Sequence, residues 1–125
     1  MPDNATPPTR EQRRAEAVYA TIKSIEGKPG AQEYGRLCLK LPILLQQNGL
    51  CKTLAYLEAK SKRSHFQQVL NDIERVAGVT RQQARQAPAT EYQWLSRDTL
   101  RTSVWFKRYA EAVLKVSPDE DGERE

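Results

Sequence analysis

Apolar residues recur along this chain every three or four positions, and nowhere do they alternate with period two over a useful length, so the pattern predicts helices throughout. Val18, Ile22 and Ile25 set the buried face of a first helix from about residue 10 to 25, with Gly27 as its stop. Tyr34, Leu37, Cys38, Leu41, Leu44 and Leu45 line a second, over 31–47. It should bend at Pro42, whose ring displaces the carbonyl of the preceding turn. Asn48-Gly49 then reverses the chain, because glycine enters left-handed conformations without steric cost, and Leu50, Leu54 and Leu57 restart a third helix over 50–60. A fourth, over 64–77, buries Phe66, Val69, Leu70, Ile73 and Val76 and ends at Gly78.

Four Ser/Thr-x-x-Gln signatures mark candidate helix starts: Thr9/Gln12, Ser64/Gln67, Thr80/Gln83 and Thr90/Gln93. In each, the hydroxyl can take an orphan amide of the first turn while the glutamine reaches back to the cap. A short Gln-rich helix is predicted between residues 80 and 95, broken by Pro88, and Ser96 is predicted to cap a last helix running to about Val116. In projection that helix carries Trp105, Phe106, Tyr109, Ala110, Ala112, Val113, Leu114 and Val116 on one wide apolar arc. Trp105 is therefore expected to be a large buried packing residue. The fold class is all-α, a single-domain compact bundle of five to seven helices, with residues 1–8 and 118–125 as disordered tails around a helical domain over 9–117.

Charge changes the picture more than composition does. The chain has 20 Lys+Arg against 16 Asp+Glu, but five of the acids and one arginine sit in residues 119–125, leaving 19 basic against 11 acidic side chains in residues 1–118. A body this basic favours polyanionic partners, because Lys and Arg that neutralise phosphates release counterions. No apolar run approaches a membrane span and the N-terminus lacks the pattern of a signal peptide. Cys38 and Cys51 suit a reducing compartment, Cys38 as a core residue. The expected location is cytoplasmic, with no membrane partner.

Catalytic chemistry is hard to assemble. His65 is the only histidine, nothing in sequence pairs it with a nucleophile, and its place on a first helical turn suits a solvent-facing role. Cys38, Cys51 and His65 lack the close spacing that zinc sites prefer. Asp72 and Glu74 point about 200° apart on a helix, and no Gly-rich phosphate cradle occurs. The expectation is a non-enzyme with no catalytic residues, metal or cofactor.

What chemistry there is lies in basic clusters. Lys52, Tyr56 and Lys60 fall one turn apart, and Lys62 and Arg63 follow on the connection, giving a strip suited to a sugar–phosphate backbone. Arg101, Arg108 and Lys115, recurring every seven residues with Lys107 beside them, repeat the idea on the last helix. Arg10, Arg13 and Arg14 form a third cluster at a helix N-terminus, where they oppose the macrodipole, so no role in fold stability is expected of them. A solvated helix face, with intrahelical partners such as Lys107 and Glu111, would explain any one cluster alone. Three together point to nucleic acid.

Two blocks carry a family resemblance: the Pro42-containing apolar helix before Asn48-Gly49-Leu50, and Trp105-Phe106-Lys107-Arg108-Tyr109-Ala110. Over roughly residues 9–116 the chain resembles the all-helical small subunit of the type III-B CRISPR effector, the Cmr complex. The resemblance implies a subunit without nuclease activity, several copies of which stack beside the backbone subunits in antiviral defence and line the channel that holds guide RNA paired with target RNA. Its implied partners are the backbone and large subunits, further copies of itself, and the two RNAs. The candidate RNA-backbone contacts are Lys52, Lys60, Lys62, Arg63, Arg101, Lys107 and Arg108. The acidic C-terminal residues depart from the family pattern. Two other readings stay open: the small subunit of the type III-A effector, and a basic helical repressor reading duplex DNA with the helix pair across Asn48-Gly49.

Overall fold

Thr9 starts the first helix as its sequence demands. Its hydroxyl accepts from the Gln12 amide at 3.0 Å while Gln12 Oε1 accepts from the Thr9 amide at 2.7 Å. The computed structural model describes residues 6–118, and among these it forms five α-helices and no strand: α1 Arg10–Ile25, α2 Ala31–Ala59, α3 Ser64–Ala77, α4 Arg81–Gln86 and α5 Ala89–Tyr109, closed by a π-helical turn, Ala110–Leu114. Residues 6–8 precede α1 without helical structure. Of the tails expected over 1–8 and 118–125, residues 1–5 and 119–125 lie outside the described residues.

The helix pair predicted on either side of residue 49 is realised as α2, broken at Gly49, whose φ of 85° and ψ of 171° are the only non-helical dihedrals within it. The groups that the break releases are taken up locally. Thr53 Oγ1 donates to the Leu44 carbonyl at 3.0 Å, and the Cys51 amide donates to the Tyr92 hydroxyl at 3.0 Å. The bend expected at Pro42 leaves the dihedrals there helical.

The core gathers around α2, which packs on α3, α4, α5 and the terminal turn, while α1 covers α3 and α5. Every apolar residue assigned to the buried face of the first helix is buried. In α2, Leu44 is the one assigned residue left half-buried, and in α3 it is Val76. Cys38 is fully buried, and burial pushes its thiol up, so it behaves as a small core hydrophobe. Glu74 of α3 accepts from both the backbone amide and Nε of Arg81, at 2.9 and 3.0 Å, and fixes the short α4. The Thr80/Gln83 box also forms, with the Gln83 amide 3.0 Å from Thr80 Oγ1.

The other two boxes do not. Arg63 occupies the N-cap of α3 with no side-chain bond, which places Ser64 inside the helix. The last helix begins not at Ser96 but directly after Pro88, which serves as the N-cap of α5. Proline is well tolerated at a helix start, where its missing N–H costs nothing. Thr90 and Ser96 are thus interior positions, and Ser96 Oγ is buried with no partner among the described residues. Hydroxyls hide the inward face of α5. Thr99, Thr102 and Ser103 are buried, and they donate to the carbonyls of Leu95, Asp98 and Leu100 at 2.7, 2.8 and 2.7 Å.

The wide apolar arc expected at the C-terminal end is narrower in fact. Phe106, Ala110, Leu114 and Val116 are buried, Trp105, Tyr109 and Val113 are half-buried, and Ala112 is exposed. The extra residue of the π turn shifts the helical phase. Lys115 then adopts a left-handed φ of 62°, and Leu114 and Val116 close over Gly35 of α2. A Cβ on Gly35 would lie 2.9 Å from Val116 Cγ1. Gln32 secures the same place by donating to the Leu114 carbonyl at 3.0 Å.

One buried polar network was not anticipated. The Tyr34 hydroxyl donates to Asp72 Oδ2 at 2.7 Å, and Arg75 Nη2 reaches Asp72 Oδ1 at 3.2 Å and Thr21 Oγ1 at 3.1 Å. Burial, with the Cys38 thiol and the Asp72 carboxylate adding to it, holds the Tyr34 phenol far above its ordinary range. Above a pH of about 10 the unfolded chain therefore loses a proton that the folded chain keeps. The contribution is complete below that pH and declines above it, by about 1.4 kcal/mol per pH unit. Alkaline unfolding of wild type and Tyr34→Phe should differ by that slope, and equal slopes would place the hydroxyl in contact with water.

Candidate nucleic-acid interface

The break at Gly49 has a consequence at the surface. It sets the two halves of α2 so that Arg36 and Lys40 of the first and Tyr56 and Lys60 of the second line one groove, completed by Arg63, His65 and Phe66 at the start of α3. Glu33 is the one acid in its lining. The cavity measures about 310 Å³, at the small end of the range for ligand pockets.

Aromatic rings hold the cations in place. Lys60 Nζ lies 5.6 Å from the centre of the Tyr56 ring, and the Arg63 guanidinium carbon 5.2 Å from that of Phe66. Tyr56 and Phe66 meet edge to face at 5.9 Å. Among the described residues Arg36, Lys60 and Arg63 form no ion pair, so no carboxylate there neutralises them by direct contact. His65 registers that field. Partial burial first, then the Arg63 and Arg36 charges, lower its pKa, with Glu33 opposing. It is half-buried on the groove wall, not solvent-facing.

The structure divides the predicted contact residues. Lys60 and Arg63 share the groove. Lys52 is exposed on the second half of α2, one turn before Tyr56, and Lys62 is exposed in the α2–α3 connection, both outside the groove lining. Arg101, Lys107 and Arg108 lie on α5 and contribute nothing to that lining. Arg101 and Arg108 are exposed, Lys107 is half-buried, and Glu111 pairs with Arg108 at 3.6 Å. Arg36, Lys40 and His65 were missed. The i,i+4 spacing of Arg36 and Lys40 on the polar edge of α2 was the available signal.

The N-terminal arginines need a larger correction. Arg10 and Arg14 grip the two oxygens of Asp98 on α5 at 3.0 and 3.1 Å, and Arg14 also meets Glu11 at 2.6 Å. With its side chain only 9% exposed, Arg14 is a strut between α1 and α5, because Asp98 offers more than the macrodipole opposes. Arg13 donates to the Pro8 carbonyl at 2.6 Å. Trp105 belongs to the same seam. Its indole N–H donates to Glu11 Oε2 at 2.6 Å and its ring stacks on Tyr109 at 5.6 Å. That hydrogen bond, followed by Arg14, holds the Glu11 carboxyl below its ordinary range.

Among the described residues no group of His, Cys, Asp or Glu is placed to hold a metal ion, and no helix is long and apolar enough to cross a membrane. Against known proteins, residues 10–113 match the model of the CRISPR-associated Cmr5 family. The chain belongs to that family. It is 33% identical over 112 residues to the CRISPR system Cmr subunit Cmr5 of Thermus thermophilus, an alignment covering 86% of this chain and 97% of the relative. The crystal structure of a Cmr5 family protein from the same organism superposes with a TM-score of 0.81 at 31% identity, covering 86% of this chain and 99% of that one. The matched region takes in all five helices and the groove, and ends before the acidic residues.

Proposed function

We propose that this chain is the non-catalytic small subunit of a cytoplasmic type III-B CRISPR (Cmr) effector that targets RNA under the direction of a guide RNA. In this reading it assembles with the backbone and large subunits, stacks in several copies along the guide–target channel, and sets basic side chains against RNA phosphates in antiviral defence. The observation that carries the reading is the family match across the folded chain, and the presence in one groove of Arg36, Lys60 and Arg63, which form no ion pair among the described residues, agrees with it. Three cations beside two aromatic rings suit a backbone contact, with charge at repeated spacing and no side chain committed to a base edge. The type III-A alternative has no observation in its favour beyond those it shares. In the repressor reading, the second half of α2 would have to read base edges, yet Leu50, Thr53, Leu54 and Leu57 are buried there.

The non-catalytic part of the proposal has a direct test. Purified protein incubated with labelled RNA and Mg²⁺ or Mn²⁺ should leave the RNA intact, and addition of the chain to the remaining Cmr subunits should complete the assembly. Cleavage that disappears when one of this chain's own residues is mutated would overturn it.

A further inference from the structure

The acidic end of the chain follows Val116, which packs on α2, a helix that lines the basic groove. Val116 is packed against Gly35, and Arg36 is the next residue of α2, turned about 100° around the helix. Residues 119–125 carry five acids and one arginine. From Val116 the following nine residues reach at most about 30 Å, enough to round α2, a helix being roughly 10–12 Å across, to its groove side. Arg36, Lys60 and Arg63 stand there without ion pairs among the described residues. A tethered anion of this size is present at an effective concentration on the order of millimolar.

We propose that the acidic segment 119–125 is an intramolecular occupant of the α2–α3 groove, competing there with RNA phosphates. This rests on the RNA reading given above, and it adds a control to that reading. Isolated copies have their cations covered, and the channel of an assembled effector, where phosphates are dense, displaces the segment. Its occupancy falls with salt, because exposed charges are screened within about 10 Å at 0.1 M ionic strength.

The test compares full-length protein with a chain carrying Asp119→Asn, Glu120→Gln, Asp121→Asn, Glu123→Gln and Glu125→Gln. Because His65 is the only histidine, its ring-proton NMR titration reads the groove without RNA. Removing nearby anions should lower its midpoint at low salt, and the difference should vanish at high salt. With a short single-stranded uridine-rich RNA in fluorescence anisotropy, the neutral-tail chain should bind about tenfold tighter at low salt. In an Arg36→Gln/Arg63→Gln background, neutralising the tail should change nothing. An unaltered His65 midpoint overturns the proposal, and so does an equal gain in the groove-variant background, which would assign the effect to net charge. If the groove substitutions fail to weaken RNA binding by the neutral-tail chain, the RNA reading of the groove falls, and the competition with it.

Discussion

Phe106→Ala is expected to lower the unfolding free energy by about 3–5 kcal/mol, the range found when a large, fully buried aromatic is truncated. Phe106 has no exposed surface and sits where α5 meets the core before the π turn, so the cavity left behind has no solvent-facing side into which to collapse. Trp105→Ala should cost only about 1–2 kcal/mol, although tryptophan is the larger residue. Its ring is half-buried, and the substitution removes a stacking partner of Tyr109 and a hydrogen bond to Glu11, which is exposed. Urea denaturation of the two variants ranks them. A Trp105 variant as damaged as the Phe106 variant would mean that the α1–α5 seam, rather than the residues under α2, carries the stability of the C-terminal half.

Reversing Arg36, Lys60 and Arg63 to Glu should leave the melting temperature within a few degrees of wild type, because none of the three forms an ion pair among the described residues and Lys60 and Arg63 are exposed. In the reconstituted effector the same change should weaken target-RNA binding by about a hundredfold or more, since each copy both loses attraction and gains repulsion. Reversing Arg101 and Arg108 should do less, as Arg108 already pairs with Glu111 and the Arg101 charge is among those that lower the Glu11 carboxyl. An effector that fails to assemble with the groove variant would point instead to a protein–protein role for the groove.

Most of the fold was legible because its signals are local. The 3.6-residue spacing of Val18, Ile22 and Ile25, the capping boxes at Thr9 and Thr80, and the glycine that breaks α2 each act within a turn or two of chain. The start of α5 was not legible, because its buried face is built from Thr99, Thr102 and Ser103, which bond to their own helix and so enter the core without appearing apolar. The burial of Asp72 was not legible for a related reason. A carboxylate reads as surface until Tyr34, 38 positions away, is known to lie over it. Half of the groove was read from one strip, Lys60 and Arg63, while Arg36 belongs to the other half of α2 and joins them only through the angle at Gly49. The arginines of α1 were misjudged because the helix dipole is a property of one helix, whereas Asp98 comes from another.

The central claim, that this Cmr5-family chain presents its α2–α3 groove to RNA phosphates inside the effector, is tested most directly by the salt dependence of target-RNA binding. Complexes reconstituted with wild-type chain and with Arg36→Gln/Lys60→Gln/Arg63→Gln chain should differ in log–log slope by roughly 0.7–0.9 for each phosphate that the variant no longer neutralises, the variant being the flatter. A variant complex that assembles normally and keeps the wild-type affinity and slope would contradict the account.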